Sequence, residues 1–317
     1  MSDPSSSAHA PSSSSSAPDA PPPYVKSAPP ATPAGKAGLL SLVATPIGNL
    51  GDISQRALDT LSHADLILCE DTRVTAKLLR HFGIAAATQT LHEHNEEERI
   101  PFLLGRLREG ARIAVVSDAG MPLLSDPGYR LARAAIAAGV QVTGIPGPNA
   151  ASLALALSGL PPIPSLFLGF PPPRSQARRT AFATLRAAEQ AGLSATLIWY
   201  EAPHRLVETL ADLTAVFGEA RPAAVGRELT KRFEEMVRGS LADLAAHFAA
   251  IEPRGEITLL LGPPPDGDDG AETLDNHLRA ALKTHSVKDA ATLVAGFVNL
   301  PRRTIYARAL ELSRDDA

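Results

Sequence analysis

The chain has one cysteine in 317 residues. A lone thiol, Cys69, excludes an internal disulfide and suits a reducing compartment. The paired cysteines of a zinc site are absent for the same reason. No apolar run reaches membrane-spanning length. The first residues carry neither the charged nor the apolar segment of a secretory signal, so a soluble, cytoplasmic protein is expected. Positive charge is not in excess: 30 Lys and Arg stand against 34 Asp and Glu, a formal net charge of −4. Any nucleic-acid contact must therefore rest on local basic patches. Familiar site signatures are missing as well. There is no G-x-x-x-x-G-K-S/T phosphate loop, no G-x-G-x-x-G after a strand and no G-x-S-x-G nucleophile elbow. His92-Glu93-His94 comes nearest to a metal motif, but an isolated H-x-H among charged residues reads as a solvated loop, and no metal is expected.

What is present is organised around residues 113–150. An apolar run, 113–116, stops at Ser117-Asp118-Ala119-Gly120-Met121-Pro122. A helical pattern follows from about Asp126, with Pro127 just inside its start. A second apolar run, 140–145, stops at Pro146-Gly147-Pro148-Asn149. Strand, Gly/Pro turn, helix and strand in this order build a parallel sheet. Ligands of such sheets bind outside the carboxyl ends of the strands, so the site is expected in these turns.

In chain order, residues 1–37 are nearly all Ser, Pro and Ala. They cannot bury enough apolar surface to offset ordering entropy, and are expected to be disordered. Residues 38–160 read as a first α/β domain. Its strands are expected at 39–44, 65–69, 113–116 and 140–145, with Ser54 capping a helix that carries Ala57, Leu58 and Leu61. Arg73, Lys77 and Arg80 share one helical face. After His92-Glu93-His94-Asn95, a helix with an acidic start is expected from Glu96. Gly159-Leu160-Pro161-Pro162 is the linker to a second α/β domain, 163–263, with strands at 196–200, 223–226 and 257–261. A Pro/Gly-rich acidic linker, 264–272, leads to a basic helical appendage, 273–317. Ser286 caps one of its helices, and Arg279, Lys283, Lys288, Arg302, Arg303 and Arg308 supply its charge. The appendage can contact RNA or simply pack on the body or on a partner subunit; the sequence leaves both open.

Each strand-end turn pairs a permissive backbone with a few polar groups. Gly48, Gly51, Gly120 and Gly147 let the main chain approach a ligand closely. Such turns suit a cofactor with adenine, ribose and amino-acid parts. The polar strand-end residues are Glu70, Asp71, Arg73, Asn95, Glu201, Arg205, Arg227, Glu228 and Lys231.

Eight strings then appear in a telling order: TPIGNLGDIS (45–54), CEDTR (69–73), SDAGMPLLSDPG (117–128), IPGPNA (145–150), FLGFPP (167–172), YEAPHR (200–205), GRELTK (226–231) and GEITLLL (255–261). Together they closely resemble the ribosomal RNA small subunit methyltransferase I family of the tetrapyrrole methylase superfamily. The resemblance runs from about Gly38 to the C-terminus. It implies two α/β domains of tetrapyrrole-methylase type with S-adenosylmethionine in the cleft between them, usually in a homodimer. It implies methyl transfer to the ribose 2′-oxygen of a cytidine in the decoding region of 16S rRNA, with the small ribosomal subunit as partner. Carried over by motif, the cofactor residues are Pro46 and Gly48, Asp118, Ala119, Gly120, Met121 and Pro122, Asn149 and Ala150, Tyr200, Leu229 and Glu256. The first loop departs from the superfamily's glycine-proline-glycine core, reading Ile47-Gly48-Asn49-Leu50-Gly51, which sets the chain apart from the tetrapyrrole enzymes. A tetrapyrrole C-methyltransferase and a non-catalytic RNA-binding assembly factor are the competing expectations.

A ribose hydroxyl is a poor nucleophile and needs its proton accepted or its oxyanion stabilised. Glu228 with Lys231 is the favoured catalytic pair, a carboxylate to take the proton beside a cation to steady charge. The two can equally anchor the domain interface or hold an RNA phosphate. His94 is a third candidate, because histidine titrates near neutrality. Arg73, Arg174, Arg178, Arg179, Arg205 and Arg227 are the candidate RNA-binding residues.

Overall fold

The structure, a computed structural model, describes residues 38–264, 269–296, 298 and 300–315. The expected disordered tail (1–37) lies outside the described residues, as does the middle of the expected second linker (265–268).

The first half alternates strand and helix: β1 (Leu39–Val43), α1 (Gln55–Ser62), β2 (Leu66–Cys69), α2 (Thr72–His81), β3 (Thr88–Thr90), α3 (Glu93–Arg108), β4 (Arg112–Val116), α4 (Tyr129–Ala137), β5 (Gln141–Ile145) and α5 (Ala150–Ser158). The strands form one parallel sheet in the order β3-β2-β4-β1-β5. The inner part of a parallel sheet is covered on both faces, so β2 and β4 are apolar almost throughout, while the edge strands β3 and β5 carry polar residues. The period of two then divides each strand between two cores. Leu66, Leu68, Ile113 and Val115 pack with Leu103, Leu107 and Leu131 of α3 and α4. Ile67, Cys69, Ala114 and Val116 pack with Leu58, Leu61 and Leu79 of α1 and α2 on the other face. Ser54 caps α1 by accepting the Ala57 N–H at 3.1 Å.

The second half contains β6 (Ser165–Phe167), α6 (Ser175–Gln190), β7 (Thr196–Glu201), α7 (Leu206–Phe217), β8 (Pro222–Arg227), β9 (Glu235–Ser240), α8 (Leu241–Ala250) and β10 (Ile257–Leu261). Its sheet order is β6-β7-β10-β8-β9. β6 and β7 are parallel, while β10 runs antiparallel to both β7 and β8, and β9 antiparallel to β8. The parallel grammar of the first half therefore does not extend to the second. α5 closes the gap between the halves: Ala151 and Ala154 pack with Ile47 of the first loop and with Ile198, Ala224, Leu229 and Leu260 of the second half in one core.

α9 (Asp269–Leu282), α10 (Val287–Val294) and α11 (Arg302–Asp315) follow. They share a core of their own, including Leu278, Ala290, Val294, Ile305 and Leu312. α9 begins inside the stretch expected as linker.

Two local expectations are corrected. α4 starts at Tyr129, not near Asp126: Leu123 and Ser125 have φ of 73° and 70°, and Gly128, at 114°, is the N-cap, so 121–128 is a folded loop. α3 starts at Glu93, because the Asn95 side chain accepts the His92 N–H at 2.9 Å and closes the first turn there.

Candidate active site

β1 and β4 are neighbours at the centre of the first sheet, and their carboxyl ends release the loops 44–54 and 117–128 side by side. Thr45 and Gly120 exchange backbone hydrogen bonds of 2.9 and 3.1 Å, and the Thr45 hydroxyl donates to the Ser117 carbonyl at 3.0 Å. Gly120 has φ +83°, and an added Cβ would lie 3.3 Å from Ile47. Both facts call for glycine. Behind this bridge the Ser117 hydroxyl donates to Asp126 at 3.0 Å, and the Asp118 carboxylate accepts the Asp71 N–H at 3.1 Å.

The second sheet faces these loops with the ends of β7 and β8 and the start of β10. Between the halves lies a cavity of about 360 Å³. Asp118, Ala119, Gly120, Met121, Leu124, Ser125 and Asp126 line one side; Ala150, Phe170, Tyr200, Glu201, Leu229, Glu256 and Thr258 line the other. Tyr200 packs edge-on against Phe167 and Phe170, at 4.8 and 5.8 Å between ring centres.

Its electrostatics are one-sided. Asp118, Asp126, Glu201 and Glu256 border the cavity, and among the described residues no Lys, Arg or His does. Burial pushes the Asp126 carboxyl up to about 6, outweighing the Ser117 hydrogen bond, with Glu70 and Asp118 adding to the rise. Burial also raises Asp118 and the Tyr200 hydroxyl. A volume of this size with apolar walls and convergent carboxylates fits a ligand that is part aromatic and part cationic. S-adenosylmethionine is such a molecule: Ile47, Leu124, Phe170 and Leu229 offer apolar surface, and the carboxylates offer partners for its sulfonium, its ammonium and its ribose hydroxyls.

Of the cofactor candidates, Asp118, Ala119, Gly120, Met121, Ala150, Tyr200, Leu229 and Glu256 line this cavity. Pro46 instead borders a smaller neighbouring one. Gly48 lies beneath the Lys231 side chain, in whose path a Cβ would stand. Pro122 is buried. Asn149 caps α5, accepting the Ser152 N–H at 2.9 Å.

The catalytic candidates separate. Lys231 Nζ donates to Glu228 at 2.7 Å and lies 3.2 Å from Glu256, and the Glu256 N–H donates to Glu228 at 2.9 Å. The pair thus sits at the cavity rim through Glu256. The Lys231 hydrogen bond holds the Glu228 carboxyl below its ordinary range against a small burial penalty. Burial pulls Lys231 down, but its contacts with Glu228 and Glu256 outweigh this and leave it raised. Glu228 and Thr230 have φ of 50° and 66°, so the turn that carries the pair is strained. His94 is exposed in the first turn of α3 and does not line the cavity.

The arginines divide too. Arg174 and Arg179 are exposed at the start of α6. Arg73 is exposed but bonded to Asp71 at 2.6 Å, a contact that lowers Asp71 to about 2. Arg178 corrects an expectation: it is fully buried and bonded to Asp212 at 2.7 Å, so it cannot reach an RNA phosphate. Arg205 is taken up by Glu201 and the Pro171 carbonyl, and Arg227 by Glu235 at 2.8 Å. Of the residues lining the cavity, Asp126 and its neighbours Leu124 and Ser125 were assigned no role from the sequence.

Residues 39–245 match the tetrapyrrole (corrin/porphyrin) methylases, and residues 268–313 match the RsmI C-terminal HTH domain. Over 86% of its length the chain is 46% identical to ribosomal RNA small subunit methyltransferase I of Mesorhizobium japonicum, covering 92% of that protein. The chain belongs to the ribosomal RNA small subunit methyltransferase I family. The namesake from Escherichia coli O157:H7 is 42% identical over 86% of the chain and 95% of its own length. Two solved structures share the fold: diphthine synthase (TM-score 0.55, 16% identity, 71% of this chain and 90% of that one) and the methyltransferase CobJ (0.54, 17%, 74% and 98%). As a family member the protein is a methyltransferase that uses S-adenosylmethionine. Among the described residues no group of His, Cys, Asp or Glu is gathered as a metal would require, and no helix is long and apolar enough to cross a membrane.

Proposed function

We propose that the protein methylates the ribose 2′-oxygen of a cytidine in the decoding region of 16S rRNA, acting as a cytoplasmic homodimer on the small ribosomal subunit. The observation that carries this reading is the separation of charge. Among the described residues the charged groups that line the cavity between the sheets are carboxylates, with Lys231 and Arg205 behind Glu256 and Glu201 at its edge, which suits a cationic methyl donor better than a phosphate. The exposed cations lie outside it, on α2, on the start of α6 and on the C-terminal helices, where Lys288, Arg302 and Arg303 surround the half-exposed Tyr306. Cations around an aromatic ring suit single-stranded RNA, whose phosphates pair with the one while its bases stack on the other.

S-adenosylmethionine, when bound, supplies a methyl group on a positively charged sulfur, so positioning provides much of the catalysis. Asp118 and Glu256 would face its positive charge. A proton leaving the acceptor hydroxyl needs a carboxylate that is ionised yet basic. Asp126, at about 6, meets that requirement inside the cavity. Glu228 is the second candidate, and its lowered affinity for protons makes it better suited to holding Lys231 in place. The test is methyl incorporation from labelled S-adenosylmethionine into small subunits lacking the modification, followed by ribose-methylation mapping. A single labelled cytidine 2′-oxygen is expected. Label at a base, at another nucleotide or nowhere would overturn the reading.

A further inference from the structure

A second chamber, of about 190 Å³, lies between the first loop and α2. Ser117 and Asp118 border both this chamber and the larger cavity, so the two spaces meet at these residues. We infer that the smaller chamber seats the target nucleoside, unstacked from its RNA strand, with Lys77 on the adjoining phosphate. The inference rests on the proposed function and gives it a place in the fold.

Three observations carry it. The first is adjacency. Group transfer between two bound molecules needs their reacting atoms about 3–3.5 Å apart. The acceptor must therefore lie in a space that meets the donor's cavity, and the chamber meets it at Ser117 and Asp118. Its volume is roughly half that of its neighbour, suited to one nucleoside and not to a second cofactor-sized molecule.

The second is the chemistry of the walls. Leu50 and Val74 stand 40% and 37% exposed at the border of the chamber, apolar surface against which an unstacked base can lie. Asp118 contributes a polar group to the same walls, a partner for the ribose or the base edge. Enzymes that act on one nucleotide of a folded RNA draw it out of its stack into such a pocket.

The third is charge. Among the described residues no cation lines the larger cavity, whereas Lys77 borders the chamber and Arg73 and Arg80 are exposed on the same helix. A phosphate backbone running along α2 would present its sugar to the chamber and remain outside the carboxylate cavity.

The experiment fills the chamber. Val74→Trp and Leu50→Trp each place an indole at a partly exposed position, where folding tolerates it. Methyl transfer to small ribosomal subunits is measured in single turnover, with calorimetry of S-adenosylmethionine binding and filter binding of the subunits. Expected is a fall in transfer of about 100-fold or more, the size of effect that misplacing a reactant produces. The same variants should bind S-adenosylmethionine and subunits as the unsubstituted protein does. Lys77→Ala should weaken subunit binding and reduce its salt dependence by about one phosphate contact. Wild-type transfer by both Trp variants would overturn the inference and leave the methyltransferase reading standing. Loss of S-adenosylmethionine affinity in step with activity would assign the chamber to the cofactor, which also overturns it. If the unsubstituted protein transfers no methyl group to the subunits, the reading and the inference fall together.

Discussion

The cavity between the sheets and the C-terminal helices are electrically opposite. The cavity gathers Asp118, Asp126, Glu201 and Glu256, and among the described residues no cation lines it, Lys231 and Arg205 standing behind Glu256 and Glu201. The helices set Lys288, Arg302 and Arg303 around Tyr306, over a core of their own. A cationic donor and a polyanionic acceptor need opposite potentials, and one pocket cannot supply both. On the proposed function, keeping the two apart lets each be bound on its own terms. RNA affinity should then fall with salt, as surface phosphate contacts do, while affinity for the donor, held in a partly enclosed site, should respond less.

The comparison is sharpened most by a change confined to the cavity. Asp126→Asn should lower turnover by about 100-fold or more, the usual contribution of a general base, with RNA affinity and its salt slope unchanged. Near-normal turnover in Asp126→Asn beside a comparable loss in Glu228→Gln would transfer the role to Glu228. The same variant has a signature in stability. Asp126 titrates at about 6 in the folded protein, because of its burial, against about 3.9 in an unfolded chain. The folded state therefore holds the extra proton between these values, and stability contributed by that proton is lost as pH rises from about 4 to 6. Asn at 126 should abolish that decline, read from thermal melts at pH 4.5 and 7.5.

A second substitution affects neither partner. Arg178→Met leaves Asp212 buried without its cation and should cost about 3–5 kcal/mol of stability, measured by urea unfolding. Any change in the salt slope of RNA binding would contradict the burial of Arg178. The smallest effect belongs to the helices. Arg302→Glu with Arg303→Glu should weaken RNA binding about tenfold and reduce the salt slope by about two, with S-adenosylmethionine binding intact by calorimetry. Loss of donor binding in that variant would break the division altogether.

How far these regions could be read from sequence follows from what each element buries. β2, β4 and β10 stand out as apolar runs because both of their faces are covered. β9 reads Glu-Met-Val-Arg-Gly-Ser and lies at the edge of its sheet, so its composition gives no such signal. The cavity loops are visible as Gly/Pro turns, but in the sequence Asp126 reads as a helix start. Its place depends on positive φ at Leu123 and Ser125, conformations that nothing in Leu-Leu-Ser-Asp advertises. Arg178 looked like its neighbour Arg179. One step along α6 turns it inward, towards Asp212, a partner 34 residues away that composition cannot pair with it.

Gly48 carries a larger burden than its size suggests. The Lys231 side chain, from the second half of the chain, occupies the space where a Cβ at position 48 would be, in the first half. An alanine there would act as a wedge between the two halves. It would displace the lysine from Glu228 and Glu256 and loosen the seam beside the cavity rim. The alignment of donor loop and opposite wall is thus set by a hydrogen atom standing where nearly every other residue has a carbon.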